Sequence, residues 1–188
     1  LKRLKNEVVH SVWAMWHQMQ EGDFVQTYTE KGFRGNDKEW ESMCIPFGED
    51  AKICLNGVID RVDLCSLPGE KLIKIIDYKS SDSQDLLLAK VYYGLQMQLL
   101  TYLEAAKEMV EKEHEGKEAV PAAMLYYVIK EKNLDWKPES EEEYEKRVLD
   151  SMKCKGYVNE EPEIIGHLDK SVVNGGELIP GQKSGVAV

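Results

Sequence analysis

At 188 residues, 43% of them hydrophobic and 31% charged, the chain has enough apolar side chains to bury a sizeable core, and a single domain is the expectation. No apolar run approaches the roughly 20 residues of a membrane span, and Leu1 to Glu7 lacks the apolar stretch of a secretory signal, so no membrane partner is expected and a cytoplasmic setting fits. A net charge of −10 is the wrong sign for gripping nucleic acid across a broad basic surface; it is compatible with an acidic, metal-holding centre that receives its strand from a neighbouring subunit.

Along the chain, Leu4, Val8, Val12, Met15 and Met19, widened by Val9 and Trp16, predict an amphipathic helix over residues 4–20 with that stripe turned inward. His10 and His17 project from the opposite, polar face and read as solvated. Gly22-Asp23 ends the helix, Phe24 to Phe33 reads as extended, and Arg34 to Ser42 as a polar loop. Leu55 to Asp63 and Ile75 to Ser80 are β-branched and apolar-rich, and Cys65 to Lys71 between them carries Pro68-Gly69, which predicts a hairpin. A turn centred on Pro68-Gly69 sets Asp60 directly opposite Asp77. Alternation puts Lys79 on the face of Asp77 and turns Tyr78 the other way. Arg61 and Asp63 share the face opposite to Asp60 and can pair with each other.

After the polar connection Ser80 to Asp85, a long helix is expected from about Lys90 to Glu115, with Leu95, Leu99, Tyr102, Ala106 and Met109 inward. Gln98 and Tyr102 stand one turn apart on it; the plain reading is a surface amide and a core aromatic. Ala122 to Ile129, after Pro121, suits a buried central strand. Ser140-Glu141-Glu142-Glu143 caps a charged helix running to Lys153, and the Gly-rich remainder is weakly patterned. No phosphate-binding glycine loop is present, so nucleotide hydrolysis within the chain is not expected. Cys44, Cys54, Cys65 and Cys154 have no C-x-x-C spacing and read as reduced thiols, and the four scattered histidines give a zinc site little support.

Facing strand positions hold their Cβ atoms roughly 4.5 to 5.5 Å apart, where like charges repel. Asp60 and Asp77 both lie on mainly apolar faces, so the pair needs compensation. A hard divalent cation supplies it, since magnesium takes carboxylate and phosphate oxygens, and the neighbouring Lys79 amine suits phosphodiester chemistry. The alternative is a structural ion pair between Lys79 and Asp77.

The αβββαβ order, with Gly57-Val58-Ile59-Asp60-Arg61-Val62-Asp63, then Ile76-Asp77-Tyr78-Lys79-Ser80-Ser81, then Tyr93-Gly94-Leu95-Gln96-Met97-Gln98-Leu99-Leu100-Thr101-Tyr102-Leu103, resembles the PD-(D/E)XK nuclease superfamily, nearest to the nuclease domain of the B subunit of AddAB-type helicase–nucleases. The resemblance implies an α/β, restriction-endonuclease-like core with a mixed central sheet flanked by helices. It spans residues 1–188 as one domain, with the core over about 4–130 and a C-terminal helix and irregular extension beyond. It further implies magnesium- or manganese-dependent DNA cleavage during double-strand-end processing. Asp60 and Asp77 are the implied metal ligands together with the Tyr78 carbonyl, Lys79 the group that orients the attacking water, and Gln98 and Tyr102 the contacts to the scissile strand. Glu30 falls on a recurring acidic position and reads as structural. DNA and the helicase–nuclease A subunit are the implied partners.

Two family features have no match here: a metal-binding His on an early helix, and four cysteines that hold an iron–sulfur cluster. The chain therefore reads as a piece of a longer protein, which holds those groups elsewhere. The rival expectations are a nuclease-like module that guides DNA without cutting, and a single-chain exonuclease of the CRISPR-associated kind.

Overall fold

The hairpin around Pro68-Gly69 is present in the structure, a computed structural model that describes residues 2–35, 40–80, 87–129, 140–174 and 177–178. The elements are α1 (Lys2–Glu21), β1 (Val25–Phe33), β2 (Met43–Phe47), β3 (Ala51–Leu55), β4 (Gly57–Ser66), β5 (Glu70–Lys79), α2 (Leu88–Tyr92), α3 (Gln98–Glu113), β6 (Glu118–Val128), α4 (Glu141–Ser151), β7 (Lys155–Val158) and α5 (Pro162–Leu168). A 3-10 turn (Lys170–Val172) and the short pair β8 (Val173–Asn174) and β9 (Glu177–Leu178) follow. The expected α/β class holds: a mixed central sheet, in the order β1-β4-β5-β6-β7, is flanked by helices. The chain forms two compact units, one of Val25–Asp77 and Leu87–Met124, the other of Leu1–Phe24, Tyr78–Leu86 and Leu125–Val188.

In the first unit, Pro68 presets its own φ and Gly69 takes φ +86°, the pattern of a Pro-Gly turn. Leu67 and Glu70 exchange backbone hydrogen bonds of 3.1 and 3.4 Å across it. The antiparallel register that follows runs without interruption from Ser66↔Lys71 to Arg61↔Ile76. One face of this pair holds a buried ion cluster. Arg61 donates to Asp63 through Nε (2.6 Å) and a terminal nitrogen (2.7 Å), and Lys74 reaches the same carboxylate at 3.2 Å. The Arg61–Asp63 pairing read from the sequence is therefore real, and it is buried.

Four expectations are corrected here. The segment read as a polar loop carries Trp40, buried at 4% exposure, whose Nε1 donates to Glu113 at 2.6 Å and whose ring meets Tyr28 edge-on. Glu113 also accepts the Tyr28 hydroxyl, and burial, then that carboxylate, pushes the hydroxyl's pKa up. Next to it stands an unforeseen hairpin, β2–β3, in which Cys44 faces Cys54 and the two form a disulfide, not reduced thiols. Cys54 is exposed on this hairpin. Finally, the long helix is two helices. Gly94, at φ +72°, lets the amide of Leu95 turn back to the Lys90 carbonyl at 2.8 Å, a helix stop that a residue with Cβ resists. Leu95 consequently leaves the inner stripe and is exposed, while Leu99, Leu103, Ala106, Met109 and Val110 are buried.

The second unit reverses the expected orientation of α1. Val8, Val9, Val12 and Trp16 are exposed, whereas Ser11 and Ala14 are buried; the side chain of Leu4 lies outside the described residues. Small residues on the buried side permit close approach: Tyr127 donates its hydroxyl to the Ser11 carbonyl at 3.0 Å, and Gln18 donates to the Met152 carbonyl at 3.1 Å. The histidines are partnered rather than solvated. His10 Nε2 lies 3.0 Å from the Tyr144 hydroxyl, and His17 packs edge-on against Trp13 and Trp16.

The C-terminal region is also more ordered than expected. The amide of Asp23 donates to the His167 carbonyl at 2.8 Å, and a Cβ on Gly22 would stand 2.5 Å from the Leu168 carbonyl oxygen. The Asp23 carboxylate takes Lys170 at 2.5 Å and His167 at 2.9 Å, and hydrogen bonds from those two side chains, Lys170 first, hold its pKa below the usual range. Ser140 caps α4 by accepting from the Glu143 amide, as read. The Ser81–Asp85 stretch and residues 179–188 lie outside the described residues.

Two substitutions test these assignments by urea denaturation. Asp63→Ala removes the acceptor shared by two buried cations and is expected to cost about 3–5 kcal/mol. Ala14→Leu is expected to cost about 1–3 kcal/mol by overpacking, whereas Val12→Ser, on the outward stripe, changes stability by less than about 0.5 kcal/mol.

Candidate functional site

Asp60 and Asp77 stand one step beyond Arg61↔Ile76, the outermost pair of the β4–β5 ladder, so the same register continued by one residue sets them opposite each other. Their face is apolar: Val62, Leu64, Ile73 and Ile75 are all buried. Asp60 is half-buried and Asp77 is 2% exposed. An apolar ladder thus holds two carboxylates at its end, a placement that is unfavourable for either acid alone.

Tyr78 and Lys79 close β5 and belong to the second unit. The Tyr78 hydroxyl contacts the Met15 sulfur at 3.7 Å and its ring meets Tyr127 edge-on. The Lys79 ammonium sits 5.3 Å from the centre of the Tyr126 ring, an attraction that restrains a flexible side chain without neutralising it. The Lys79 carbonyl accepts the Ile129 amide at 2.8 Å, which fixes the backbone at the end of the strand.

Gln98 and Tyr102 come together at the start of α3, where the Gln98 amide donates to the Tyr102 hydroxyl at 3.0 Å. The Tyr102 ring meets Phe33 edge-on. A Cβ on Gly57 would stand 2.7 Å from the Phe33 ring and 3.2 Å from that of Tyr102, so Gly57 is the spacer that admits both rings. Sequence reading missed this role; its signal was a glycine opening a strand. By alternation Gly57 shares its face with Ile59 and Arg61, so Tyr102 covers the face of β4 opposite to that of Asp60. Glu30 is level with Asp60 in the β1–β4 ladder, between Thr29↔Arg61 and Lys31↔Ile59. It is exposed and takes φ +48°, a strained value for a residue with Cβ. Among the described residues no group of three or more His, Cys, Asp or Glu side chains gathers as a metal cluster. Glu30 is thus not brought into a cluster with Asp60 and Asp77.

Comparison with known proteins gives a specific result. The family model described as PD-(D/E)XK nuclease superfamily matches residues 1–177. The chain is also similar to proteins named as the B subunit of an ATP-dependent helicase/deoxyribonuclease. That of Clostridium novyi is 33% identical over 183 residues, covering 95% of this chain and 16% of the relative. That of Desulforamulus reducens is 32% identical over 181 residues, covering 96% and 15%, and that of Alkaliphilus metalliredigens 34% identical over 179, covering 95% and 15%. The chain therefore spans about one sixth of the length of these relatives.

The superfamily's divalent metal is compatible with the donors present. Continued by one residue, the register would bring two carboxylates opposite each other at the end of an apolar ladder, and hard oxygen donors suit Mg²⁺ or Mn²⁺. Without metal the facing carboxylates repel. Asp77→Asn is therefore expected to stabilise the metal-free protein by about 0.2–1 kcal/mol, read as a higher melting temperature in chelator. A lower one would show that the two acids do not oppose each other.

Proposed function

This chain belongs to the PD-(D/E)XK nuclease superfamily, and on that basis we propose that residues 1–188 act as one metal-dependent deoxyribonuclease domain. It cuts DNA exonucleolytically within a helicase–nuclease that processes double-strand ends for recombinational repair. The observation that supports the reading is the β4–β5 register, whose ladder ends at Arg61↔Ile76 and, continued by one residue, would bring Asp60 opposite Asp77, two residues from Lys79 on the same strand, in a chain of this superfamily.

The residues divide the work. The Asp60 and Asp77 carboxylates and the Tyr78 carbonyl hold Mg²⁺ or Mn²⁺. The bound ion supplies Lewis acidity toward a phosphate oxygen and lowers the pKa of water. Lys79 orients the attacking water and offsets negative charge that grows on the phosphate. Its contact with the Tyr126 ring limits the volume the ammonium explores. Gln98 and Tyr102, joined to each other, are assigned to phosphates of the bound strand on the basis of the superfamily motif they match; because Tyr102 covers the face of β4 opposite to that of Asp60, their contacts lie away from the metal itself.

The relatives' names support the setting, since each is the B subunit of an enzyme with helicase and deoxyribonuclease functions. A helicase–nuclease A subunit and DNA are the proposed partners. An iron–sulfur cluster, where the parent protein holds one, takes its ligands from outside this chain; Cys44 and Cys54 are engaged with each other. The proposed location is the cytoplasm; no helix among the described residues is long and apolar enough to cross a membrane. A second reading, a DNA-guiding module that does not cut, draws on the net charge of −10, which disfavours strong DNA binding by the domain itself.

Titration calorimetry with Mn²⁺ and Mg²⁺, paired with cleavage of end-labelled DNA, separates the two readings. Wild type is expected to bind metal and Asp77→Ala to lose that binding. Lys79→Ala is expected to keep metal and fold while cleavage falls by about 10² or more. Metal binding unchanged in Asp77→Ala would overturn the assignment of the ligands, and metal binding without cleavage in wild type would favour the guiding module.

A further inference from the structure

The segment that links the β5 strand to α3 presents an unusual surface. Tyr92 and Tyr93 are 84% and 74% exposed, and Leu95 is 73% exposed. Clustered exposed aromatic and aliphatic side chains on a folded chain mark binding surfaces. This cluster is built rather than loose. The Gln96 side chain accepts the Leu87 amide at 3.0 Å, closing the segment on itself, and Tyr93, Gly94 and Leu95 each donate their amides back into α2. The two rings stand edge to face with centres 5.3 Å apart.

Charge selects the occupant. The chain carries 34 acidic residues against 24 basic ones, yet Leu86 to Leu103 contains no Asp or Glu, and its one charged residue is Lys90, which is exposed. A polyanion is repelled by most of such a chain and not by this stretch. Exposed tyrosine faces with a nearby cation are what unpaired bases and their phosphates require, whereas bases inside a duplex cannot reach a side-chain ring. The same stretch continues directly into Gln98 and Tyr102.

We propose that Tyr92 and Tyr93 form a base-stacking platform for single-stranded DNA, with Lys90 on the adjoining phosphate. The platform feeds the strand toward the site assigned above, and rests on that assignment only for the identity of the polymer.

The test uses the 188-residue chain in chelator, so that no cleavage occurs, with a fluorescent oligothymidylate of about 12 nucleotides and its abasic counterpart. Tyr92→Ala and Tyr93→Ala are each expected to weaken binding about 5- to 100-fold. Tyr92→Phe and Tyr93→Phe, which keep the rings, are expected to stay within about twofold. Wild type is expected to prefer the base-bearing oligonucleotide, and the double alanine variant to lose that preference. Lys90→Ala is expected to reduce the salt slope of log Kd by about 0.7. Equal affinities in wild type and the double alanine variant would overturn the platform while leaving the nuclease reading intact. So would a change in sedimentation mass on double substitution with DNA binding unaltered, which would make this surface a protein interface. Absence of DNA binding by wild type would overturn the platform too; the Mn²⁺ titration with Asp77→Ala then reports on the nuclease reading separately.

Discussion

The pairing register of β4 with β5 is the constraint on which the rest depends. Side chains alternate along a strand, so a slip of one residue would exchange the two faces of the hairpin. In the observed register Asp63 lies across from Lys74 and also receives Arg61 from its own strand. A buried ion cluster of this kind is a poor source of net stability, because desolvating three charges offsets most of their attraction. It is an effective specifier, since no neighbouring register gives Asp63 both cations. The turn contributes to the same choice through Pro68 and Gly69. The face that carries the ions and the face that carries Asp60 and Asp77 are thus fixed by one decision. An error in it would separate the carboxylates and expose the cluster together.

Much of this is legible in the residues alone. Turn chemistry at Pro68-Gly69 and strict two-residue alternation suffice to place Asp60 near Asp77 and Arg61 beside Asp63. The inner stripe of α3 follows from its spacing, and the α4 cap from Ser140. What is hidden has physical reasons. Helix α1 is apolar over more than half its circumference, so periodicity identifies a helix without saying which side is covered. Close packing chose Ser11 and Ala14, which are small, over Val12 and Trp16, which are large. The β2–β3 hairpin is short, contains Pro46, and is exposed along most of its length, so neither propensity nor burial announces it. Trp40 sits among polar neighbours whose pattern is that of a loop, and its burial follows from partners on other elements, Tyr28 on β1 and Glu113 at the end of α3. The break at Gly94 is visible as a glycine in a helical pattern, but a single glycine is tolerated in helices at modest cost; what decides is the backbone conformation it takes. The residues of the site itself are legible from a motif, whereas Gly57, which makes room for Tyr102, is evident only from the two rings that meet there.

The clasp between Gly22-Asp23 and His167-Leu168 has a consequence for the order of events in time. The unit that holds Asp60 and Asp77 is complete in sequence once Met124 has been made. The other unit, which contains α1, needs the chain as far as α5 before Asp23 can meet His167 and Lys170. During synthesis, then, α1 precedes α5 by the whole length of the first unit and is among the last elements of this chain to find its permanent neighbours, and the side that carries Ser11 and Ala14 stays uncovered meanwhile. Closing so long a loop adds little to the equilibrium cost, but it lengthens the interval in which an apolar helix is free to engage other chains. The hairpin register can be settled early and locally, whereas the anchoring of the amino-terminal helix is a late, long-range event. A chain halted shortly after β6 would already hold the carboxylate ladder while lacking the anchor for α1.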